Sequence, residues 1–163
     1  MKIIIADSST LIALLDTNNF YLLFELFEEL IITPEVYNEI TYNNLHTQTI
    51  KKYLSSTQLT IKPIKHSEMY EMLRKRLDIG ESSSIVLAKT LQLSLIIDEK
   101  KGRKVAKSLG INIIGLVGIL LKLLQKNIIT KKRALEIVKD LEKNNFRLSD
   151  ELKSLIYSFI KTL

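Results

Sequence analysis

The chain has 163 residues, 46% of them hydrophobic and 26% charged, with two prolines, no cysteine and a formal net charge of +6. That composition belongs to a folded chain able to bury about two-thirds of its unfolded surface in one core, and it excludes a disordered protein, a disulfide scaffold and a thiolate metal site. The charge is unevenly divided: residues 1–98 carry 9 Lys/Arg and 12 Asp/Glu, residues 99–163 carry 15 and 6. Attraction for a polyanion such as RNA therefore belongs to the second part, although lysines on exposed helix faces also serve solubility alone.

The amino terminus, MKIIIAD, turns acidic after too few apolar residues for a signal peptide. The longest later apolar stretch, INIIGLVGILLKLL, contains Asn112 and Lys122 and is too short to span a bilayer. A soluble, cytoplasmic protein is expected, and the lack of cysteine fits a reducing compartment.

In chain order, KIIIA (2–6) reads as a short buried strand, SSTLIALL and FYLLFELFEEL have helical spacing, and the β-branched IIT (31–33) reads as a second strand. Thr33 then offers an N-cap, with Pro34 at the first helical position and Glu35 in the first turn. LTIKPI (59–64) predicts a third strand, held to the sheet edge by Pro63. Ser67 caps a helix EMYEMLRKRL; Asp78, Ile79 and Gly80 break the pattern; a further helix begins near Glu81 and runs through SIVLAKTL. LSLIID (93–98) and INIIG (111–115) are the last strands, separated by a basic helix from about 100 to Leu109. Everything beyond is helical, ending in SDELKSLIYSFIKTL with Ser149 as N-cap. Buried strands separated by helices imply an α/β fold, a central parallel sheet covered on both faces, in one domain spanning 1–163 with 119–163 as a C-terminal helical extension packed on it.

Parallel sheets place ligands at the carboxyl ends of their strands, where the strand order reverses. Asp7 and Asp98 each end a strand, so as parallel neighbours both emerge on one rim. Glu81, with Ile85 and Ala88 at i+4 and i+7, lies on the stripe facing the sheet, and Glu39 stands on the shoulder of its helix's buried face. Taken singly each acid has a plainer use: Asp7 as an N-cap, Glu81 as a dipole complement, Glu39 as a solvated charge, Asp98 as the cap of the basic helix. Taken together they can converge. Two carboxylates about 4 Å apart repel by roughly 4 kcal/mol at an effective dielectric near 20, so four in one pocket need cations. With no cysteine, and with His46 and His66 outside these motifs, the donors are all oxygen, which suits Mg²⁺ or Mn²⁺ and suggests metal-assisted phosphodiester hydrolysis, the chemistry of a nuclease.

In order, IIADSSTLIALL, IITPEVYNEI, LDIGESSSIVLA, LIIDEKKGRKVA and INIIGLVGILLKLLQKNII with FRLSDEL resemble the PIN-domain proteins, most closely a branch of predicted nucleic-acid-binding proteins related to VapC-type toxins. The resemblance spans nearly the whole chain. It implies a three-layer α/β/α sandwich and a metal-dependent endoribonuclease, with Asp7, Glu39, Glu81 and Asp98 as the catalytic and metal-binding acids. It further implies that Ser9 orients metal water or phosphate, and that Lys100, Lys101 and Arg103 contact the substrate backbone, Arg103 having Glu99 as an alternative partner. Members of the branch often carry another glutamate where this chain has Ser83. VapC-type proteins are commonly toxins held by a small antitoxin protein, and commonly dimerise, so an RNA substrate, an antitoxin partner and a homodimer are the partners implied. Leu155, Ile156 and Phe159 of the last helix are expected to pack on the core rather than on a second subunit.

Two other readings stand beside the ribonuclease. One is a non-catalytic PIN-like module that binds RNA or protein, for which Ser83 is the relevant departure. The other is a strand-end aspartate phosphotransferase, disfavoured because a haloacid dehalogenase needs an aspartate where Ser9 stands and a receiver domain needs a lysine where Gly115 stands.

Overall fold

The computed structural model describes residues 2–163. Five strands, β1 (Ile3–Ala6), β2 (Glu29–Ile32), β3 (Leu59–Ile61), β4 (Leu95–Ile96) and β5 (Ile113–Ile114), form one sheet in the order β3-β2-β1-β4-β5, with every pairing parallel. The helices are α1 (Ser8–Asp16), α2 (Pro34–Thr41), α3 (Thr47–Ser55), α4 (Glu68–Arg74), α5 (Ile79–Leu91), α6 (Lys100–Ser108), α7 (Leu116–Gln125), α8 (Lys131–Lys143) and α9 (Asp150–Thr162).

The strands are apolar without alternation because both faces of the sheet are covered. Ile4, Ala6, Leu30, Ile32 and Ile96 face one core, shared with α1, α2 and the helices from α7 onward. Ile5, Ile31, Leu95 and Ile97 face the other, shared with α4, α5 and α6. Each buried Ile or Leu among them contributes about 1.5–3 kcal/mol. The result is the expected three-layer α/β/α arrangement. The last helices are integral to it: Leu120, Leu123, Ile137, Leu141 and Ile156 lie in the first core, and Phe159 packs against it. Leu155 does not, and is 49% exposed. No helix among the described residues is long and apolar enough to cross a membrane.

Local signals set most boundaries. Thr33 accepts from the Val36 N–H at 3.2 Å and starts α2 ahead of Pro34; Ser67 and Ser149 cap α4 and α9 in the same way. β3 is an edge strand, and its last ladder bond, from Lys62 N–H to the Ile32 carbonyl at 2.9 Å, immediately precedes Pro63.

Three expectations need correction. FYLLFELFEEL is not one α-helix: Phe20–Glu25 is a 3₁₀ segment, and the chain is already in β2 at Glu29, because pairing with the central strand overrides helical spacing. Helix α3 has no counterpart in the sequence reading, although Ile50, Tyr53 and Leu54 stand at helical spacing in it. Helix α5 begins at Ile79, two residues before Glu81, with Asp78 as its N-cap.

Candidate active site

The strand order reverses between β1 and β4; Asp7 directly follows β1, and Asp98 stands two residues past the end of β4. The Asp7 N–H still donates to the Ile96 carbonyl at 2.9 Å, so the ladder itself brings the two strand ends to one rim.

Asp7 is 2% exposed and occupies the N-cap position of α1, yet its side chain makes no capping bond. Its Oδ1 is buried without a hydrogen-bond partner among the described residues. Burial is the main reason its pKa is pushed up to about 8; the Ser8 backbone N–H opposes the rise, and the carboxylates of Asp78, Glu81 and Glu39 add to it. Glu39 is half-buried on α2, where the Ser8 hydroxyl donates to its Oε2 and the Gly80 backbone also donates. Its pKa is raised, by burial first and then by Asp78.

Glu81 is 6% exposed at the third position of α5. There it completes a capping box: the Glu81 N–H donates to Asp78 Oδ1 at 2.8 Å, and the Asp78 N–H donates to Glu81 Oε2 at 3.2 Å. Burial raises its pKa, against the hydrogen bond from the Asp78 backbone, with repulsion from Asp78 and Glu99 assisting. Only one carboxylate oxygen is used by the box, and Oε1 turns toward Gly102 of α6.

Asp98 takes a different environment. The Thr10 hydroxyl donates to its Oδ2, and the Leu116 N–H lies 3.1 and 3.2 Å from its two oxygens. It therefore caps α7, not the basic helix α6 that follows it in sequence. Burial raises its pKa while Thr10, Leu116 and the nearby Arg103 guanidinium pull the other way. The acids that act on Asp7 are Glu39, Asp78 and Glu81; Asp98 shares the rim with Asp7 but faces hydrogen-bond donors and a cation.

Three glycines give these carboxylates their space. A Cβ on Gly80 would collide with the Glu39 carboxylate, one on Gly102 would come within 2.7 Å of Glu81 Oε1, and one on Gly115 within 2.5 Å of Asp98 Oδ1.

The other sequence-derived residues differ in their surroundings. The Ser9 hydroxyl is buried without a partner among the described residues. Lys100 and Lys101 are exposed in the first turn of α6. Arg103 makes no ion pair with Glu99 among the described residues; it is half-buried, donates to the Ile97 carbonyl at 2.9 Å and lies beside Asp98, lining a cleft with it. Ser83 is fully buried, its hydroxyl 2.8 Å from Thr33 Oγ1 and 3.1 Å from the Gly80 carbonyl, so it ties α5 to the cap of α2. Asp78 is the acid that sequence reasoning passed over as a helix breaker. The D-x-x-E spacing of a capping box, Asp78 to Glu81, was the signal that marks it.

The family model described as "DUF3368: PIN domain" matches residues 3–162. The chain belongs to the PIN-domain family. A solved PIN-type structure, a PilT N-terminus domain protein, SSO1118, from the hyperthermophilic archaeon Sulfolobus solfataricus P2, shares the fold: TM-score 0.50, 23% identity, with 76% of this chain and 94% of that one covered. No curated protein matches. PIN domains are generally nucleases and generally use divalent metal ions.

Whether this PIN domain's residues suit such an ion turns on their chemistry. As the side chains stand, no group of three or more His, Cys, Asp or Glu among the described residues is arranged to hold a metal ion. The donor set nevertheless fits a hard cation. It consists of carboxylates, one oxygen of Asp7 is buried and unsatisfied among the described residues, and the acids around it oppose its ionisation. A divalent cation relieves both the orphaned acceptor and the repulsion.

Proposed function

We propose that this PIN domain is a metal-dependent endoribonuclease in which Asp7, Glu39, Glu81 and Asp98 hold Mg²⁺ or Mn²⁺. The observation that carries the reading is the unsatisfied Oδ1 of Asp7, buried at the switch point of the sheet and surrounded by the charges of Glu39, Asp78 and Glu81. Bound there, divalent cations supply charge neutralisation, activation of a water and stabilisation of the leaving oxygen. Ser8 fixes the orientation of Glu39, Thr10 and the Leu116 N–H fix that of Asp98, and the capping box fixes that of Glu81. These contacts set the acids in place before substrate arrives, which is what electrostatic catalysis requires. Ser9 is the hydroxyl offered to phosphate, and Lys100 and Lys101 meet the RNA backbone as it approaches. Asp78 supplies a fifth carboxylate in a chain that has Ser83 where relatives often carry glutamate. The exposed Leu152, Leu155 and Tyr157 of α9 are the apolar surface that a second subunit or a small antitoxin would cover.

The test is cleavage of end-labelled single-stranded RNA by the purified protein in Mg²⁺, in Mn²⁺ and in EDTA, with Asp7→Asn and Asp98→Asn beside the wild type. Cleavage that needs the ion and is lost in both variants, with circular dichroism unchanged, is the expected result. Unchanged cleavage in both variants removes these acids from the chemistry. RNA binding that is equal in all three proteins, with no cleavage under any condition, assigns the domain to the binding-module class instead.

A further inference from the structure

At the end of the sheet opposite the acids, a cleft of about 350 Å³ opens between the starts of β1, β4 and β5 and the flank of α7. That volume falls in the range of small-molecule sites, about 300–1,000 Å³. One wall is apolar, formed by Ile3, Phe27, Ile113 and Ile114; the other carries Lys2 and Lys122. Helix α7 lies close against β5 because residue 118 is glycine: a Cβ there would meet the Ile114 side chain at 2.8 Å.

The lysines are the unusual element. Lys122 lines the same cleft as Lys2, and Lys126 is the C-cap of α7 four residues on. None of the three is in an ion pair among the described residues. The acids beside Lys2 at the start of β2 do not answer them: Glu29 accepts from the Thr60 hydroxyl at 2.8 Å, and Glu28 is exposed and in no ion pair among the described residues. Lys2 has one favourable contact, its ammonium 5.5 Å from the centroid of the Phe27 ring. That contact accounts for Lys2 alone. It does not account for a second lysine turned into the same opening, since a long flexible side chain at the surface is free to carry its charge into water. Lys2 and Lys122 are both exposed; slight desolvation at the cleft and then the charges of Lys122 and Lys126 hold the Lys2 ammonium below the usual lysine range. An anion between the lysines would remove that conflict.

We propose that this cleft binds a small organic phosphate, its phosphate held by Lys2 and Lys122 and its organic body lying on the apolar wall of Ile3, Phe27 and Ile113. A compound carrying both parts satisfies both walls, whereas free phosphate satisfies one. The site is independent of the acid cluster and of the nuclease reading.

The probes are adenosine monophosphate and inorganic phosphate, titrated calorimetrically into the full chain in EDTA, where the acid cluster repels anions. The expected result is saturable binding, tighter for the nucleotide than for phosphate, and weakened about tenfold or more by Lys2→Gln or Lys122→Gln. Lys101→Gln, near the acid cluster, is expected to leave it unchanged. Absence of saturable binding, equal binding by both lysine variants and wild type, or a nucleotide that binds no more tightly than phosphate would each overturn the proposal. A short single-stranded RNA that depends on Lys2 and Lys122 while the nucleotide fails to bind would overturn it in favour of a nucleic-acid surface.

Discussion

Asp7 is a carboxyl group whose environment opposes its ionisation, and this has a thermodynamic signature. Its folded pKa of about 8 stands well above the ordinary value of 3.8, through burial first and neighbouring acids after. Below about pH 4 the group is protonated in both states and contributes no penalty; between about pH 4 and pH 8 the unfolded chain ionises while the folded one keeps its proton. Stability from this residue is therefore fully present at low pH and lost as pH rises through 8, by up to about 1.4 kcal/mol per pH unit. Glu39, Glu81 and Asp98 are raised in the same direction and add to the slope. In EDTA the melting temperature of the wild type should fall progressively from about pH 5 to pH 8, and Asp7→Asn should flatten that fall and melt higher than wild type at pH 8. Millimolar Mg²⁺ at pH 8 should raise the wild-type melting temperature and leave that of Asp7→Asn nearly unchanged, because a ligand that binds only the folded state stabilises it. Parallel melting curves for the two proteins across this range would mean that Asp7 is not a buried, uncompensated acid.

Between elements, the acids are held by backbone that comes very close to them, and α6 against α5 is the clearest instance. In Gly102→Ala the new methyl meets Glu81 Oε1 at 2.7 Å and Ile97 Cδ1 at 2.6 Å. The helix itself gains about 0.5–1 kcal/mol from losing a glycine, so a melting curve should move little while Glu81 is pushed aside. A displacement of about 1 Å costs up to about a hundredfold in rate, and RNA cleavage should fall accordingly. Thr33→Val tests the next joint: it removes the N-cap of α2 and the hydroxyl paired with Ser83, for a loss of about 1–2 kcal/mol in a denaturant melt. Much of this level was legible in the residues. Thr33-Pro34, Ser67 and Ser149 mark their helix starts through chemistry that is local to the chain. What was not legible depends on distant partners. FELFEEL carries helical spacing, and only the presence of β1 beside it makes Glu29–Ile32 a strand. Asp98 looks like the cap of α6 because α6 comes next; β4 pairing with β5 delivers instead the N–H of Leu116 from eighteen residues later. Asp78 reads as a breaker until the site's other acids are in place around it.

For the molecule as a whole, the order β3-β2-β1-β4-β5 settles where charge collects. The crossovers part on either side of β1, so the acids gather at its carboxyl end, while the basic excess of residues 99–163 begins at once in α6. An RNA that reaches the acid cluster must be drawn by cations at its border, since the cluster itself repels phosphate. Lys100 and Lys101 stand at that border, exposed and in no ion pair among the described residues, whereas Lys153 is already paired with Glu142 at 2.8 Å. Each phosphate contact on a single strand contributes about 0.7 to the slope of log affinity against log salt. With the cleavage-deficient Asp7→Asn protein as background, adding Lys100→Gln and Lys101→Gln should lower the measured slope for single-stranded RNA by about 1.4, roughly independent of sequence. Lys153→Gln should leave it unchanged, because that charge is already committed within the fold. A fluorescence-anisotropy titration at several salt concentrations reads the slope directly. If the doubly substituted protein keeps the full slope, RNA approaches by another face, and the basic stretch after Asp98 serves only to solvate its helix.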